Sequence, residues 1–279
     1  MHRPGPHQRT FPWRRALGIL VVAAGAYAWG VEPYAIEVTR RTLHAPLDRP
    51  LKIAHLTDLH TRGLGRRERK MLAILDSEKP DAIVITGDSV IDGDLFGPRP
   101  GLPEDPSYAR IAPVLRSLHA PLGVWTVRGN WEVIRHMPGE RAFYLRNGVR
   151  LLSNEAAELR AGVWVAGLDD ARPNVSLASE GIPPGAFVIG LFHSPANFDL
   201  VAGKWPLALA GHTHGGQVRI PMVKPFWLPR GSGRYVAGWY ESLGSRLYVS
   251  RGIGTSTLPI RFLCRPELAI LTIEPSSKG

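Results

Sequence analysis

The chain has very little cysteine. Cys264 is the only one among 279 residues, so an intrachain disulfide and a cysteine-rich zinc site are both excluded. Internal repeats and recognisable nucleic-acid-binding motifs are also missing, and we therefore expect no nucleic-acid partner. The length fits one catalytic domain with a large core, and the hydrophobic fraction of 44% is ordinary for a globular protein.

Acidic residues are scarce near the N-terminus. Residues 1–70 contain 13 Lys or Arg but five Asp or Glu, so this part carries most of the formal net charge of +10. Residues 1–15 form a basic tail, and residues 16–31 are uncharged and mostly apolar. A basic flank beside an apolar segment suits anionic lipid headgroups, so we expect a membrane surface as a partner.

Residues 16–31 predict an N-terminal apolar helix of about 24 Å, slightly shorter than a hydrocarbon core of about 30 Å. Three interpretations are open: a single membrane anchor, which we favour; a signal segment, for which the small residues 24–28 offer cleavage sites; and a buried helix. We therefore expect the protein at the cell membrane. A spanning anchor with a basic N-terminal flank places the domain outside the cytoplasm, whereas a monotopic anchor leaves it inside, so the side stays open.

Beyond a predicted linker over 32–49, the pattern predicts one α/β domain over 50–275, with a Pro/Gly-rich loop over 97–106. Strand and helix patterns alternate first, and the second half is rich in strands, which predicts two sheets with outer helices. The predicted helices are 66–79 and 107–119. The predicted strands are 51–56, 82–86, 123–127, 163–168, 186–192, 206–210, 246–250 and 268–273.

Polar side chains follow several of these strands at the point where each strand ends. Strands that run the same way deliver their terminal side chains into one crevice. Glycines beside three of these side chains let the backbone turn tightly there. The candidates comprise two carboxylates, one amide and four imidazoles: Asp58, His60, Asp88, Asn130, His193, His212 and His214.

This set of seven donors predicts a site for two divalent metal ions. Mixed nitrogen and oxygen ligands without thiolate suit Mn, Zn or Fe, and we favour Mn. Two ions about 3.5–4 Å apart can generate hydroxide and stabilise both the attacking and the leaving oxygen of a phosphate. A single Asp-x-His or Gly-Asp is usually only a turn, so the prediction depends on the ordered set. We expect a phosphate-containing small molecule or a lipid-linked compound as substrate.

The motifs LTDLH, VITGDS, TVRGN, a single histidine and GHTHGG resemble, in this order, the calcineurin-like metallophosphoesterase superfamily. The N-terminal apolar segment and the late GTSTLPIRFLCRPEL resemble its membrane-associated branch of YkuE-like and YaeI-like phosphodiesterases. The resemblance implies a four-layer α/β/β/α sandwich and two-metal-dependent hydrolysis by a metal-bound hydroxide. It implies that Asp58, His60, Asp88 and His214 hold one ion, that Asp88, Asn130, His193 and His212 hold the other, and that Asp58, Asp88, Asn130 and His193 are catalytic.

One residue departs from the family's pattern. The family motif is G-N-H-[DE], but residues 129–132 read GNWE. Indole cannot act as a general acid near neutral pH, and losing a general acid costs about 10²–10⁴ in rate, least for leaving groups of low pKa. The change favours a phosphoanhydride over an alkyl phosphodiester. Hydrolases of UDP-2,3-diacylglucosamine in lipid A biosynthesis also depart from histidine here, so a UDP-linked acylated sugar is the specific substrate we predict.

Other assignments around this position stay open. Trp131 and Arg128 are predicted to contact substrate, although packing is an alternative for Trp131. His55 and His136 are candidates to replace the missing acid. Residues 219–240 suit either a lipid–water interface or a hairpin that covers the core. The functional alternatives are a phosphodiesterase of broad or other specificity and a non-catalytic, metal-containing binding module; the oligomeric state is not predicted.

Overall fold

The computed structural model describes residues 13–90 and 106–276. Most of the predicted basic tail and all but the last residue of the predicted 97–106 loop lie outside these ranges. The helices are α1 (Trp13–Gly30), α2 (Arg66–Glu78), α3 (Pro106–Arg116), α4 (Asn130–Arg135), α5 (Glu140–Arg146) and α6 (Phe198–Val201).

The strands are β1 (Glu37–Ala45), β2 (Leu51–Leu56), β3 (Ala82–Ile85), β4 (Val124–Val127), β5 (Val149–Leu152), β6 (Glu155–Arg160), β7 (Val163–Gly167), β8 (Phe187–Leu191), β9 (Leu207–Ala210), β10 (Gly238–Ser242), β11 (Ser245–Val249) and β12 (Glu267–Pro275). The first sheet has the strand order β1-β12-β2-β3-β4-β5, and the second has the order β10-β11-β9-β8-β7-β6. Strands β2 to β5 run parallel in the first sheet, as do β11, β9, β8 and β7 in the second. Antiparallel pairs lie at β12·β2, β10·β11 and β6·β7.

The two sheets pack face to face and are covered on their outer faces, as the alternation of side chains along the strands dictates. In β2, Ile53 belongs to the core between the sheets, and Leu56 belongs to the core beneath α2, α3 and α5. In β9, Leu209 faces the first sheet and Ala210 faces the outer layer around α6. The predicted four-layer α/β/β/α sandwich is confirmed, with an outer layer on the second sheet built from short helices and turns.

The linker predicted over 32–49 needs correction. Residues Glu37–Ala45 form β1, which pairs along its whole length with β12 at the edge of the first sheet. The sequence EVTRRTLHA buries few positions, because an edge strand needs apolar contacts only on its inner face, and so its pattern does not suggest a core strand. The sheet therefore begins before residue 50, and prolines at 33, 46 and 50 flank the strand.

The predicted apolar helix is confirmed as α1. It is long and apolar enough to cross a membrane by length and composition, and 17% of its apolar window is buried in the protein. Leu20 and Val22 are 65% and 72% exposed. The described residues of the domain therefore leave most of the helix surface uncovered.

Candidate metal centre

All seven predicted ligands lie where the carboxyl ends of strands from both sheets meet. Each follows its strand within a few residues, so the strand fixes the position of its side chain. Asp58 and His60 follow β2, Asp88 follows β3, Asn130 follows β4, His193 follows β8, and His212 and His214 follow β9.

The backbone at these positions is unusual. Asp58, His60, Asp88, His212 and His214 all have positive φ angles, at 51°, 38°, 53°, 72° and 50°. A non-glycine residue in the left-handed region costs free energy, and such residues persist where the surrounding structure holds them for a function. Five such turns around one crevice indicate a functional site.

One group of potential metal ligands contains Asp58, His60 and His214. All three are buried, and their donor atoms lie within 4.8 Å of one another. Nε2 of His60 lies 3.2 Å from Nε2 of His214, and Nε2 of His214 lies 3.3 Å from Oδ1 of Asp58.

A second group contains Asp88, His193 and His212, also buried and within 4.8 Å of one another. Nε2 of His193 lies 3.1 Å from Oδ2 of Asp88 and 2.9 Å from Nδ1 of His212. Oδ1 of Asn130 lies 3.1 Å from the same His193 nitrogen, so the amide faces this second group.

Asp88 connects the two groups. Its Oδ2 atom lies 3.6 Å from Nε2 of His60 and 3.1 Å from Nε2 of His193. Its Oδ1 atom accepts a hydrogen bond of 2.9 Å from the backbone N–H of Trp131. One carboxylate oxygen is thus directed toward both groups, as a bridging ligand requires.

The hydrogen bonds of the imidazoles show that these residues fit metal ions. Nδ1 of His60 and Nδ1 of His193 donate to the carbonyls of Val90 and Thr86, over 3.2 and 2.7 Å. Nε2 of His212 donates to the carbonyl of Arg230 over 2.6 Å. A carbonyl accepts only, so the other nitrogen of each neutral ring has a free lone pair directed into the crevice. Buried lone pairs and carboxylates gathered in this way are stabilised by cations.

Electrostatics in the crevice supports the same conclusion. Burial raises the pKa of Asp88 to about 7, an effect that the nearby His193 offsets only in part. Burial also tends to raise the pKa of Asp58, but the neighbouring histidines, His214 first, lower it below its usual range. A divalent cation between the two carboxylates would stabilise both as anions.

Glu132 holds the loop that carries Asp88. Its buried carboxylate accepts backbone hydrogen bonds from Asp88 and Gly129, both of 2.9 Å, and from Ser89 and Val90, of 2.7 and 3.2 Å. The loops after β3 and β4 are therefore joined through one side chain. Sequence reasoning missed this role, although the acidic residue of the GNWE motif was the available signal.

A cavity of about 850 Å³ opens beside the two groups. Asp88, Asn130, His212 and His214 contribute to its lining, and its walls are mainly apolar. The other lining residues are Trp131, Asp170, Thr213, Gly216, Gln217, Val218, Phe226, Trp227, Pro229, Arg230, Ser256, Thr257, Leu258 and Ile260.

Two of the predicted substrate contacts have different surroundings. Trp131 lines the cavity and also packs against the core beneath the helices, so both of its proposed roles are compatible with its position. Nε of Arg128 instead donates to Asp169 over 2.8 Å, and Arg128 does not line the cavity. Substrate contact by Arg128 therefore stays a prediction without support from this geometry.

The two candidate replacements for the general acid lie away from the cavity. His55 is fully buried in β2, and its Nε2 atom lies 2.8 Å from Oγ1 of Thr86. His136 is exposed at the end of α4. Asp170 lines the cavity, and its Oδ1 atom accepts a hydrogen bond of 2.6 Å from the hydroxyl of Ser194.

This combination of sandwich fold and paired ligand groups defines a metallophosphoesterase. Residues 51–216 match the calcineurin-like phosphoesterase family, and the chain belongs to that family. It is therefore a metal-dependent phosphoesterase, and the two ligand groups are its candidate sites for divalent metal.

Several curated relatives match along nearly their whole length. The chain is 29% identical to the metallophosphoesterase YkuE of Bacillus subtilis over 282 residues, which is 94% of each chain. It is 29% identical to a metallophosphoesterase of Aquifex aeolicus, over 91% of this chain and 98% of the relative. It is 29% identical to the phosphodiesterase YaeI of Escherichia coli, over 95% and 98%.

Proposed function

We propose that the protein hydrolyses a phosphoanhydride or phosphodiester with two divalent ions held by the seven predicted ligands. The position of Oδ2 of Asp88, close to His60 in one group and His193 in the other, is the observation that carries the proposal. One group would consist of Asp58, His60, Asp88 and His214. The other would consist of Asp88, Asn130, His193 and His212.

When bound, such ions activate water and stabilise charge on the phosphoryl oxygens. The residues of the chain contribute orientation and protection from bulk water. Carbonyls of Val90, Thr86 and Arg230 fix the rings of the three histidines, and Glu132 fixes the loop of Asp88. Nitrogen and oxygen donors without thiolate suit Mn, Zn or Fe, and Mn is the metal we favour.

The surroundings of Trp131 favour a leaving group that needs no proton. Among the described residues that line the cavity, the histidines are both proposed metal ligands, and the acid beside them, Asp170, is hydrogen-bonded to Ser194. Neither His55 nor His136 lines this cavity. A phosphoanhydride expels a phosphate of low pKa, whereas an alkyl ester expels an alkoxide that has to be protonated.

The shape and lining of the cavity support an amphiphilic substrate, and a UDP-linked acylated sugar is the specific one we propose. Its pyrophosphate would lie at Asp88 and Asn130, and Trp131 offers an aromatic surface for a base or sugar ring. The apolar walls, with Val218, Phe226 and others, suit an acyl chain. We also propose that α1 anchors the protein to the membrane where such a substrate resides.

A phosphodiesterase of other specificity is the second candidate. It is supported by the relative YaeI, which is named a phosphodiesterase and matches over most of both chains. An activated aryl diester can be hydrolysed without a general acid, so this reading is compatible with Trp131 as well.

The test compares two substrates with the same purified, Mn²⁺-loaded protein in detergent. UMP release is measured from UDP-2,3-diacylglucosamine, and 4-nitrophenol release from bis(4-nitrophenyl) phosphate, with Asp88→Asn as control. UMP release that Asp88→Asn abolishes supports the acylated-sugar substrate. Hydrolysis of the aryl diester alone excludes that substrate and supports the second candidate, and hydrolysis of neither contradicts the proposed function.

A further inference from the structure

Exposed apolar side chains lie on the two segments that form one wall of the cavity. The two segments, residues 220–228 and 256–263, together form what we name the apolar rim. Its exposed members, with their exposed fractions, are Ile220 (47%), Met222 (106%), Val223 (43%), Phe226 (71%), Trp227 (68%), Leu258 (57%) and Leu263 (53%). A contiguous surface of this kind marks a site of interaction.

The rim is attached to the end of α1. The backbone N–H of Arg261 donates to the carbonyl of Ala28 over 2.9 Å, and the N–H of Leu263 donates to the carboxylate of Glu32 over 2.9 Å. The two rim segments are also tied together, because the N–H of Arg219 donates to the carbonyl of Phe262 over 2.9 Å. The rim is therefore fixed beside the C-terminal end of α1, the helix that we propose as the membrane anchor.

The rim is also continuous with the cavity. Phe226, Trp227 and Leu258 are exposed at the surface and line the cavity. The charges fit a lipid surface: residues 219–240 and 254–265 contain no Asp or Glu, and four of their six Lys or Arg are exposed, whereas Arg261 is buried and Arg219 half-buried. Exposed Lys224, Arg230 and Arg265 lie among the aromatic and aliphatic side chains, a mixture typical of the headgroup region of a bilayer.

We propose that the apolar rim inserts into the headgroup region of an anionic lipid bilayer, so that the cavity takes a phosphate-bearing amphiphile directly from that bilayer. The proposed insertion depends only on the exposed surface of the rim. The choice of an amphiphilic phosphate as ligand rests on the proposed function.

The first test places an environment-sensitive NBD fluorophore at position 222 in the full chain through Met222→Cys. Leu243→Cys is the matched control, because Met222 and Leu243 are both highly exposed and have similar φ angles, 63° and 49°. Leu243 lies just before β11, which runs parallel to β9. It is therefore at the end of the strands opposite the candidate metal ligands. Cys264 is buried, and unsubstituted protein gives the labelling blank.

Both proteins are reconstituted through α1 into liposomes of phosphatidylcholine and phosphatidylglycerol. We expect a blue shift and a rise in fluorescence at position 222 but not at 243. Equal responses at the two positions, or none at 222, overturn the proposal. So does a response at 222 that needs no lipid and depends on protein concentration, since that indicates a second copy of the chain on the rim.

A second pair of variants checks that the rim itself causes the response. Leu263→Glu in the labelled 222 protein should reduce the blue shift, whereas Leu243→Glu should not; the two leucines are both exposed and have φ angles of 53° and 49°. Neither leucine lines the cavity, so hydrolysis of the soluble bis(4-nitrophenyl) phosphate should be unchanged. The hydrolysis assay tests the proposed function, and the fluorescence assay tests insertion. An unaltered blue shift in Leu263→Glu overturns insertion whether or not the diester is hydrolysed.

Discussion

The backbone N–H of Trp131 donates a hydrogen bond of 2.9 Å to Oδ1 of Asp88, while the Trp131 side chain lines the cavity. The main chain of residue 131 thus orients the proposed bridging carboxylate, and the side chain is free to serve another purpose. The side chain at position 131, histidine in the family motif, can therefore change while the backbone hydrogen bond to Asp88 is kept.

Trp131→His should restore a general acid without loss of metal. We expect the rate on an alkyl phosphodiester to rise by up to about 10²-fold, because the alkoxide leaving group would then be protonated. The rate on a phosphoanhydride should not rise, because its leaving phosphate needs no proton. Steady-state kcat/KM on the two substrates measures the difference.

Trp131→Phe is the control for this prediction, since it keeps an aromatic ring in the cavity and adds no acid. It should leave the ratio of the two rates unchanged. An equal gain on both substrates with histidine would contradict the leaving-group argument.

Glu132→Gln should weaken both the fold and the metal site. Backbone N–H groups of Asp88, Ser89 and Gly129 donate to this buried carboxylate, and an amide offers one acceptor oxygen in place of two. We expect a loss of at least about 2 kcal/mol in the free energy of unfolding and about 10- to 100-fold weaker metal binding.

Glu140→Gln is the comparison for Glu132→Gln. Burial raises the pKa of Glu140 to about 7, and its carboxyl accepts a hydrogen bond from the Tyr108 hydroxyl, which an amide oxygen can also accept, so we expect less loss. Urea unfolding and Mn²⁺ titration distinguish the variants. Equal losses of stability and of Mn²⁺ affinity in the two variants would contradict a special role of Glu132.

Gly211→Ala should displace Asp58. A Cβ atom at position 211 would collide with Thr57 Oγ1 and lie 2.5 Å from Oδ2 of Asp58. We expect the variant to lose the metal ion that we propose Asp58 and His60 hold. Gly148→Ala has space for its Cβ atom but a positive φ of 79°, so it should cost about 1 kcal/mol of stability and keep the full metal content, measured by mass spectrometry.

Burial of His55 should make stability depend on pH. Burial lowers the pKa of His55 from 6.5 to about 4, so the unfolded chain binds this proton more readily than the folded chain. The neutral, buried His55 therefore contributes about 3 kcal/mol to the free energy of unfolding above pH 6.5, and this contribution is lost as the pH falls toward 4. His55→Gln should remove that part of the slope in urea unfolding at pH 7 and pH 4.5, and an unchanged slope would contradict the assignment.

Central strands could be predicted from the sequence because both of their faces are buried. The run AIVI is apolar throughout and LKIAHL is mostly apolar, and the structure places β3 and β2 there. Edge strands such as β1 and β10 could not be predicted, because one of their faces is exposed. Charged residues and glycine also interrupt the alternation of apolar and polar residues that would indicate a strand. Their positions depend on partners that are distant in the chain, as in the pairing of Glu37 with Glu267.

The clustering of the seven candidate ligands could be predicted because each follows an apolar strand, and strand order then brings them together. Features that depend on contacts between loops could not be predicted. The cavity wall around Trp227 and Leu258 is formed by two distant segments, and the pairing of Arg128 with Asp169 joins ends of strands from different sheets. The sequence around each of these residues does not indicate which distant segment it contacts.

The number of metal ions bound per chain tests the central claim most directly. Protein loaded with Mn²⁺ and freed of excess metal would be measured by inductively coupled plasma mass spectrometry, with Asp88→Asn beside the exposed control Asp76→Asn. We expect two ions in the wild type and in Asp76→Asn, one for each ligand group, and weakened binding at both sites in Asp88→Asn. Two tightly held ions in Asp88→Asn, or a single ion in the active wild type, would contradict a pair of sites bridged by Asp88.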